Sequence, residues 1–116
     1  MDFYGTIGPA CADVKLLQQM VEAGMTGIRM NLSHGPLAAH KDWLVMLHKA
    51  GVPFMVVTQM LDSMHTRAVP TRAEVSDIYN AVLDGASSLM LTGETAVGQY
   101  PVQAMEYLVR TARTAM

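Results

Sequence analysis

The segment from Gly24 to Gly35 reads GMTGIRMNLSHG and shows the unit from which the chain is built. A glycine ends an amphipathic stretch, a short apolar run follows, and polar residues stand where that run ends. Short runs rich in Val, Ile and Met predict fully buried parallel strands. The chain contains four such runs, at Phe3–Ile7, Gly27–Leu32, Phe54–Val57 and Ser88–Leu91.

An amphipathic stretch follows each apolar run, so that strand and helix alternate four times. The second helix is predicted over Leu37–Ala50, and Thr71 with Glu74 forms a capping box that opens the third. Pro101 suits the first position of the fourth helix. Three glycines are expected to end the first three helices: Gly24, Gly51 and Gly85. This order predicts a parallel sheet with right-handed crossovers.

Length and composition limit the class of protein. The chain has 116 residues, of which 51% are apolar and 16% are charged. This allows one domain over residues 1–116, less than half of the roughly 250 residues of a complete eight-stranded barrel. Charged residues recur too often for a membrane span, and no secretion leader is recognisable. With a net charge of −2 and no basic cluster, we expect a cytoplasmic protein that binds neither nucleic acid nor membrane.

Four parallel strands alone would leave both edges of the sheet open. Helices on both faces would give a doubly wound sheet, whereas two chains could complete one eight-stranded barrel. The uniform design of the units favours the barrel. We therefore predict an α/β fold in which four βα units form half of a TIM-type (βα)₈ barrel, completed by a second chain in a homodimer.

Ligands of parallel α/β folds bind at the carboxyl ends of the strands. Strand alternation places Arg29 and Asn31 on one face, and a guanidinium in a buried strand needs an anionic partner. A phosphate or carboxylate ligand would satisfy Arg29, and so would a structural ion pair with Glu94. The candidate residues at these ends are Thr6, Arg29, Asn31, Ser33, His34, Thr58, Thr92, Gly93 and Glu94.

The other candidates keep alternative interpretations. Asn31 and Ser33 offer oxygen atoms to a hard cation, but they are also ordinary turn residues. His34 could contact a nucleotide or phosphate, or simply be solvated. Glu94 could be a base, a cation ligand or the partner of Arg29. The glycine-bracketed segment from Thr92 to Gly98 is not a Walker loop. The remaining histidines lack ligand spacing and are interpreted as surface residues: His40, His48 and His65.

Several short segments of this sequence closely resemble segments of the pyruvate kinase family. They are TIGPA at 6–10, IRMNLSHG at 28–35, TQMLDSM at 58–64, PTRAEVSD at 70–77, NAVLDG at 80–85 and MLTGETA at 90–96. They occur in the order of that family and resemble the first two and the last two strand–helix units of its barrel domain. The joint falls inside the helical segment Pro36–Ala50.

The resemblance implies roles for individual residues. Arg29 matches the arginine that binds the substrate phosphate, and Thr58 matches the threonine beside the substrate carboxylate and the proton-transfer site. Asn31 and Ser33 match two potassium ligands, and His34 matches a residue on the nucleotide side. The resemblance makes Thr92, Gly93 and Glu94 candidates for binding the substrate or an anion. Thr92 stands where the family usually has serine. Val97 stands where lysine is common.

Two segments of the family are absent from the sequence. They are the Lys-Ile-Glu segment with the catalytic lysine and the Ala-Arg-Gly-Asp segment, and together they supply the magnesium carboxylates. The only lysines here are Lys15, Lys41 and Lys49, all in predicted helices. We therefore expect a fragment that is inactive alone, with possible potassium binding, no ligands for the family's magnesium and affinity for a phosphate-bearing small molecule. The alternative is a minimal pyruvate kinase that transfers phosphate from phosphoenolpyruvate to ADP in glycolysis.

Overall fold

A computed structural model of the protein describes residues 1–31, 37–57 and 60–116, without the side chains of residues 37 and 38. The strands are β1 (Tyr4–Thr6), β2 (Gly27–Asn31), β3 (Phe54–Val57) and β4 (Ser88–Met90). The helices are α1 (Val14–Glu22), α2 (Lys41–Ala50), α3 (Arg72–Leu83), the single turn α4 (Gly93–Ala96) and α5 (Pro101–Ala115). Short 3₁₀ helices cover Leu37–His40 and Asp62–His65.

The four strands form one parallel sheet in the order β1-β2-β3-β4. This confirms the predicted parallel sheet of successive strand–helix units. The register places one residue of each strand in a row across the sheet: Thr6, Arg29, Met55 and Ser88. That row lies near the carboxyl end of β1 and at the centre of β2.

The long helices share one hydrophobic core. Strand residues Ile28, Met30, Phe54 and Val56 belong to the same buried cluster as side chains from α1, α2, α3 and α5. The helix residues in that cluster are Leu17, Leu44, Leu47, Ile78, Ala81, Ala104 and Leu108. A doubly wound sheet would divide its helices between two cores, so the one-sided arrangement fits a barrel segment. Alternation then places Arg29 and Asn31 on the face opposite the helices.

The predicted helix boundaries are largely confirmed. Thr71 Oγ1 accepts a hydrogen bond from Glu74 N (3.2 Å), and Glu74 Oε1 accepts one from Thr71 N (2.8 Å), which completes the capping box. Helix α5 has Pro101 in its first turn. The three helix-ending glycines all have positive φ, at 121° for Gly24, 70° for Gly51 and 98° for Gly85, where a side chain would be strained.

The structure corrects the bounds of three elements. Strand β1 covers Tyr4–Thr6 instead of Phe3–Ile7. The two flanking residues still bond to the neighbouring segment, since the Phe3 carbonyl accepts from Thr26 N (2.8 Å) and Ile7 N donates to the Arg29 carbonyl (3.0 Å). Strand β4 ends at Met90, one residue before the predicted end. The second helix begins as a 3₁₀ turn and becomes α-helical at Lys41. Within the described residues, no helix combines the length and hydropathy needed to cross a membrane.

Candidate functional site

The carboxyl ends of the strands bring part of the predicted site together. Thr6 ends β1 and Asn31 ends β2, while Thr92, Gly93 and Glu94 follow β4. Three further candidates lie outside the described residues: Ser33, His34 and Thr58. The site described here is therefore built on Arg29, Asn31 and the segment after β4.

Arg29 is half-buried at the centre of β2, on the face opposite the helices. Its Nε atom is fully buried and has no hydrogen-bond partner, the one such side-chain atom among the described residues. In the register, its neighbours on this face are Thr6 and Met55, neither of which carries a negative charge. A buried guanidinium donor without an acceptor is costly, so this arrangement favours an oxyanion beside Arg29.

Glu94 occupies a different environment from the one that its place in a glycine-bracketed loop suggests. It is 1% exposed, and its Oε2 accepts from Leu61 N at 3.0 Å. Its Oε1 accepts from Thr92 N at 3.1 Å and from Thr92 Oγ1 at 3.5 Å. Glu94 thus ties the α4 turn to the segment after β3, and backbone amides satisfy both of its oxygen atoms.

The ion pair between Arg29 and Glu94, left open by the sequence, is not observed. Within residues 1–31, 37–57 and 60–116 the single contact of that type joins His65 Nδ1 to Asp62 Oδ1 at 3.6 Å. The backbone amides of Leu61 and Thr92 donate hydrogen bonds to the Glu94 carboxylate, in place of the guanidinium. A ligand contact of Thr92, Gly93 or Glu94 stays a prediction.

The 62–65 turn lies beside the candidate residues that follow β4, and sequence reasoning missed it. Ser63 donates to Glu74 from both N (2.8 Å to Oε2) and Oγ (2.5 Å to Oε1), so the carboxylate that caps α3 also holds this turn. Burial raises the pKa of Glu74, but the hydrogen bonds from Ser63 and Thr71 outweigh burial, and the pKa lies below its ordinary value. The capping-box spacing was a signal for Thr71, but nothing in the sequence marked Ser63.

The three histidines interpreted as surface residues each make a contact. His40 stacks on Trp43 with ring centroids 4.2 Å apart, and the His48 ring lies 3.2 Å from the Asp84 carbonyl through Nε2. His65 bonds through Nδ1 with the Asp62 carbonyl at 2.8 Å. The His65 ring also lies against Gly93, so this histidine borders the candidate segment after β4.

The positions of the acidic side chains and lysines can be compared with that of Arg29. Across them, no group of three or more His, Cys, Asp or Glu side chains converges on one point. Glu94 is the acid that follows β4, and both of its oxygen atoms already accept from backbone amides. Lys15 lies in α1, and Lys41 and Lys49 lie in α2, on the opposite side of the sheet from Arg29. The prediction that all three lysines lie in helices is confirmed.

A family model and two curated relatives match this chain, and all of them are pyruvate kinases. A family model of the pyruvate kinase barrel domain matches residues 37–105. The pyruvate kinase of Schizosaccharomyces pombe is 49% identical over 96 residues, which are 83% of this chain and 19% of that protein. The enzyme of Mycobacterium tuberculosis is 48% identical over 91 residues, 78% of this chain and again 19% of its own length.

Solved structures agree with the sequences. A crystal structure of Cryptosporidium parvum pyruvate kinase superposes with a TM-score of 0.75 and 31% identity, over 98% of this chain and 25% of that one. The same enzyme in complex with ADP gives a TM-score of 0.70 and 37% identity, over 80% of this chain and 20% of that one. The chain thus spans about a fifth of the relatives it matches, and it belongs to the pyruvate kinase family as a segment of the barrel domain.

Proposed function

We propose that this chain is an oxyanion-binding segment of a pyruvate kinase barrel, which holds a phosphate-bearing small molecule through Arg29 and does not transfer the phosphoryl group alone. The observation that carries the proposal is the buried Nε of Arg29, which has no partner among the described residues. Phosphate and carboxylate oxygens are the acceptors that a guanidinium fork fits best.

The surroundings of Arg29 support an anion and not a buried ion pair. Glu94, the acid that follows β4, accepts hydrogen bonds from the amides of Leu61 and Thr92. Asn31 lies two residues further along the same face of β2 and provides a polar neighbour. A phosphate at this edge would therefore meet a positive charge without a competing carboxylate.

The same geometry argues against catalysis. Phosphoryl transfer depends on metal ions and cationic groups that clamp the transferred phosphate. All three lysines lie on helices across the sheet from Arg29, and Glu94 is 1% exposed with a backbone amide donating to each of its oxygen atoms. Potassium binding through Asn31 and Ser33, implied by the family, stays part of the proposal, as does a cytoplasmic location.

The test is a thermal-shift titration with inorganic phosphate and with phosphoenolpyruvate. We expect both to raise Tm, because a ligand that binds only the folded chain stabilises it by mass action. Arg29→Ala should abolish the shift, and Arg67→Ala, which removes an exposed arginine, should leave it intact. An equal shift in the Arg29→Ala protein would overturn the proposed site.

A coupled assay tests the second half of the proposal and decides against or for the minimal-enzyme alternative. The purified chain is mixed with phosphoenolpyruvate, ADP, magnesium and potassium, and pyruvate formation is followed. We expect no turnover above the uncatalysed rate. Turnover that follows the purified chain and falls in the Arg29→Ala protein would establish the chain as a minimal kinase.

A further inference from the structure

Among the described residues, neither edge of the sheet has a neighbouring strand. In this part of the chain β1 pairs with β2 alone and β4 pairs with β3 alone. The exposed large apolar side chains include none from the central strands β2 and β3, whereas β1 contributes Tyr4 and β4 contributes Met90. The two ends of the sheet are therefore the places where main-chain groups and apolar surface both remain uncovered.

Helix α5 presents an apolar stripe toward the open β4 edge. Its members are spaced by three and four residues, the spacing of helix–helix packing: Val102, Met105, Val109, Ala112 and Met116. Val102 is 64% exposed and Met105 is 45% exposed. The stripe borders a groove of about 890 Å³ along α5, and a second hollow of about 390 Å³ continues from it to Ser88 and Leu89 of β4. The opposite flank of α5, with Tyr107, meets α3.

Helix α1 presents a matching stripe at the other end. Leu16, Met20 and Ala23 have the i, i+4, i+7 spacing of one flank. Met20 and Ala23 line a hollow of about 410 Å³ beside Phe3 and Tyr4, at the outer edge of β1. Leu16 is 43% exposed. This end of the molecule thus offers a strand and an apolar helix flank in the same arrangement as the β4 end.

We propose that the α5 stripe binds the α1 flank of a second copy of this chain, with β1 of that copy added to the β4 edge. A twofold axis repeats the contact, so that two copies contribute eight parallel strands, the number that closes a (βα)₈ barrel. The face with Arg29 and Asn31 then lines the interior, and no strand edge stays open.

Charge favours this pairing over a contact between two α5 helices. Helix α1 with its N-cap Asp13 carries a side-chain charge of −1, from Asp13 and Glu22 against Lys15. Helix α5 carries +1, from Arg110 and Arg113 against Glu106. A head-to-tail contact therefore brings opposite charges together, whereas two α5 helices would repel each other.

Light scattering of the purified chain, across a range of concentrations, tests the proposal. We expect twice the mass of the chain, and Leu16→Glu or Met105→Glu should each weaken the dimer at least about tenfold, since a buried charge opposes contact. Val45→Glu, on the central helix α2 at a position 52% exposed, is the matched control and should remain dimeric. A monomer at all concentrations, or a Leu16→Glu protein that dimerises normally, would overturn the proposal.

A disulfide experiment covers the case in which the glutamate variants fail to fold. Cys11 is the only cysteine, so a Cys11→Ser background allows Leu16→Cys and Met105→Cys to be combined. Both positions stand near the start of helices that run in the same direction, and within one copy they lie at opposite ends of the sheet. Oxidation of this double variant should give a covalent dimer. The control, which combines Val45→Cys with Met105→Cys, should not give one. A double variant that stays monomeric on oxidation would contradict the α5–α1 contact.

Discussion

Replacing Glu94 by alanine should destabilise the fold strongly, although the residue lies in a glycine-bracketed loop. The change removes the acceptor of two backbone amides, Leu61 N at 3.0 Å and Thr92 N at 3.1 Å. A hydrogen bond to a charged group contributes about 1.5–3 kcal/mol, and a buried donor left without an acceptor costs about 1–3 kcal/mol. Leu61 is fully buried, so water cannot replace the lost oxygen there, whereas Thr92 is exposed and its amide can turn to water.

Counted once for each amide, the orphaned buried Leu61 donor costs about 1–3 kcal/mol and the lost bond of the exposed Thr92 amide about 1 kcal/mol, so the free energy of unfolding should fall by about 2–4 kcal/mol. Urea unfolding followed by circular dichroism measures it, at one fixed protein concentration because assembly makes stability depend on concentration. For urea slopes of about 1–3 kcal/mol per molar, the midpoint should fall by about 0.7–4 M. Glu94→Gln keeps one acceptor oxygen and should lose about half as much.

Asp77→Ala, which removes an exposed acid from α3, is the matched control and should change the free energy of unfolding by less than about 0.5 kcal/mol. Hydrogen exchange gives an independent readout, since the Leu61 amide should lose protection in the Glu94→Ala protein. If Glu94→Ala unfolds at the same urea concentration as the wild type, the carboxylate does not hold the α4 turn to the 60–65 segment.

Two further outcomes are expected. Because the pKa of Glu74 lies below its ordinary value, its carboxylate stabilises the fold above the unfolded-state pKa of about 4.3 and loses that effect as pH falls through the folded-state pKa. The urea midpoints of wild type and Glu74→Gln should therefore differ at pH 7 and converge in acid. A difference that does not depend on pH would contradict this. Gly85 has φ of 98° and lies against the His48 ring, so Gly85→Ala should lower stability by about 1–2 kcal/mol, whereas Gly8→Ala, with open space around it, should change the urea midpoint little; equal effects would refute the assigned strain.

The regular elements could be predicted because local chemistry determines them. The Thr71–Glu74 capping box, Pro101 at the start of α5 and the run Phe54–Val57 each lie where the sequence placed them. The apolar period separated the core face of β2 from the face with Arg29. Such signals arise within a few residues, so one sequence is enough to identify them.

The environment of Glu94 and the 62–65 turn could not be predicted in this way. Glu94 is bound by Leu61, 33 residues earlier, and Ser63 is bound by Glu74, 11 residues later. Met60, Leu61 and Met64 are buried without a helical or strand period, so no pattern marked them as core. The Arg29–Glu94 pair was a reasonable alternative because a buried guanidinium needs an anionic partner and Glu94 is the acid of the segment after β4. Only the fold shows that backbone amides already bind this carboxylate.

The direct measurement of the Arg29 site is a titration of the arginine Nε–H signals in a ¹⁵N-labelled chain with inorganic phosphate. The chain has five arginines: Arg29, Arg67, Arg72, Arg110 and Arg113. Arg29→Lys identifies the signal of the buried Nε by its disappearance. We predict that this signal shifts with saturation as phosphate is added, while the signal identified by Arg67→Ala stays in place. An Arg29 signal that does not move, or that moves no more than the exposed arginines, would contradict the assignment of Arg29 as an oxyanion-binding residue.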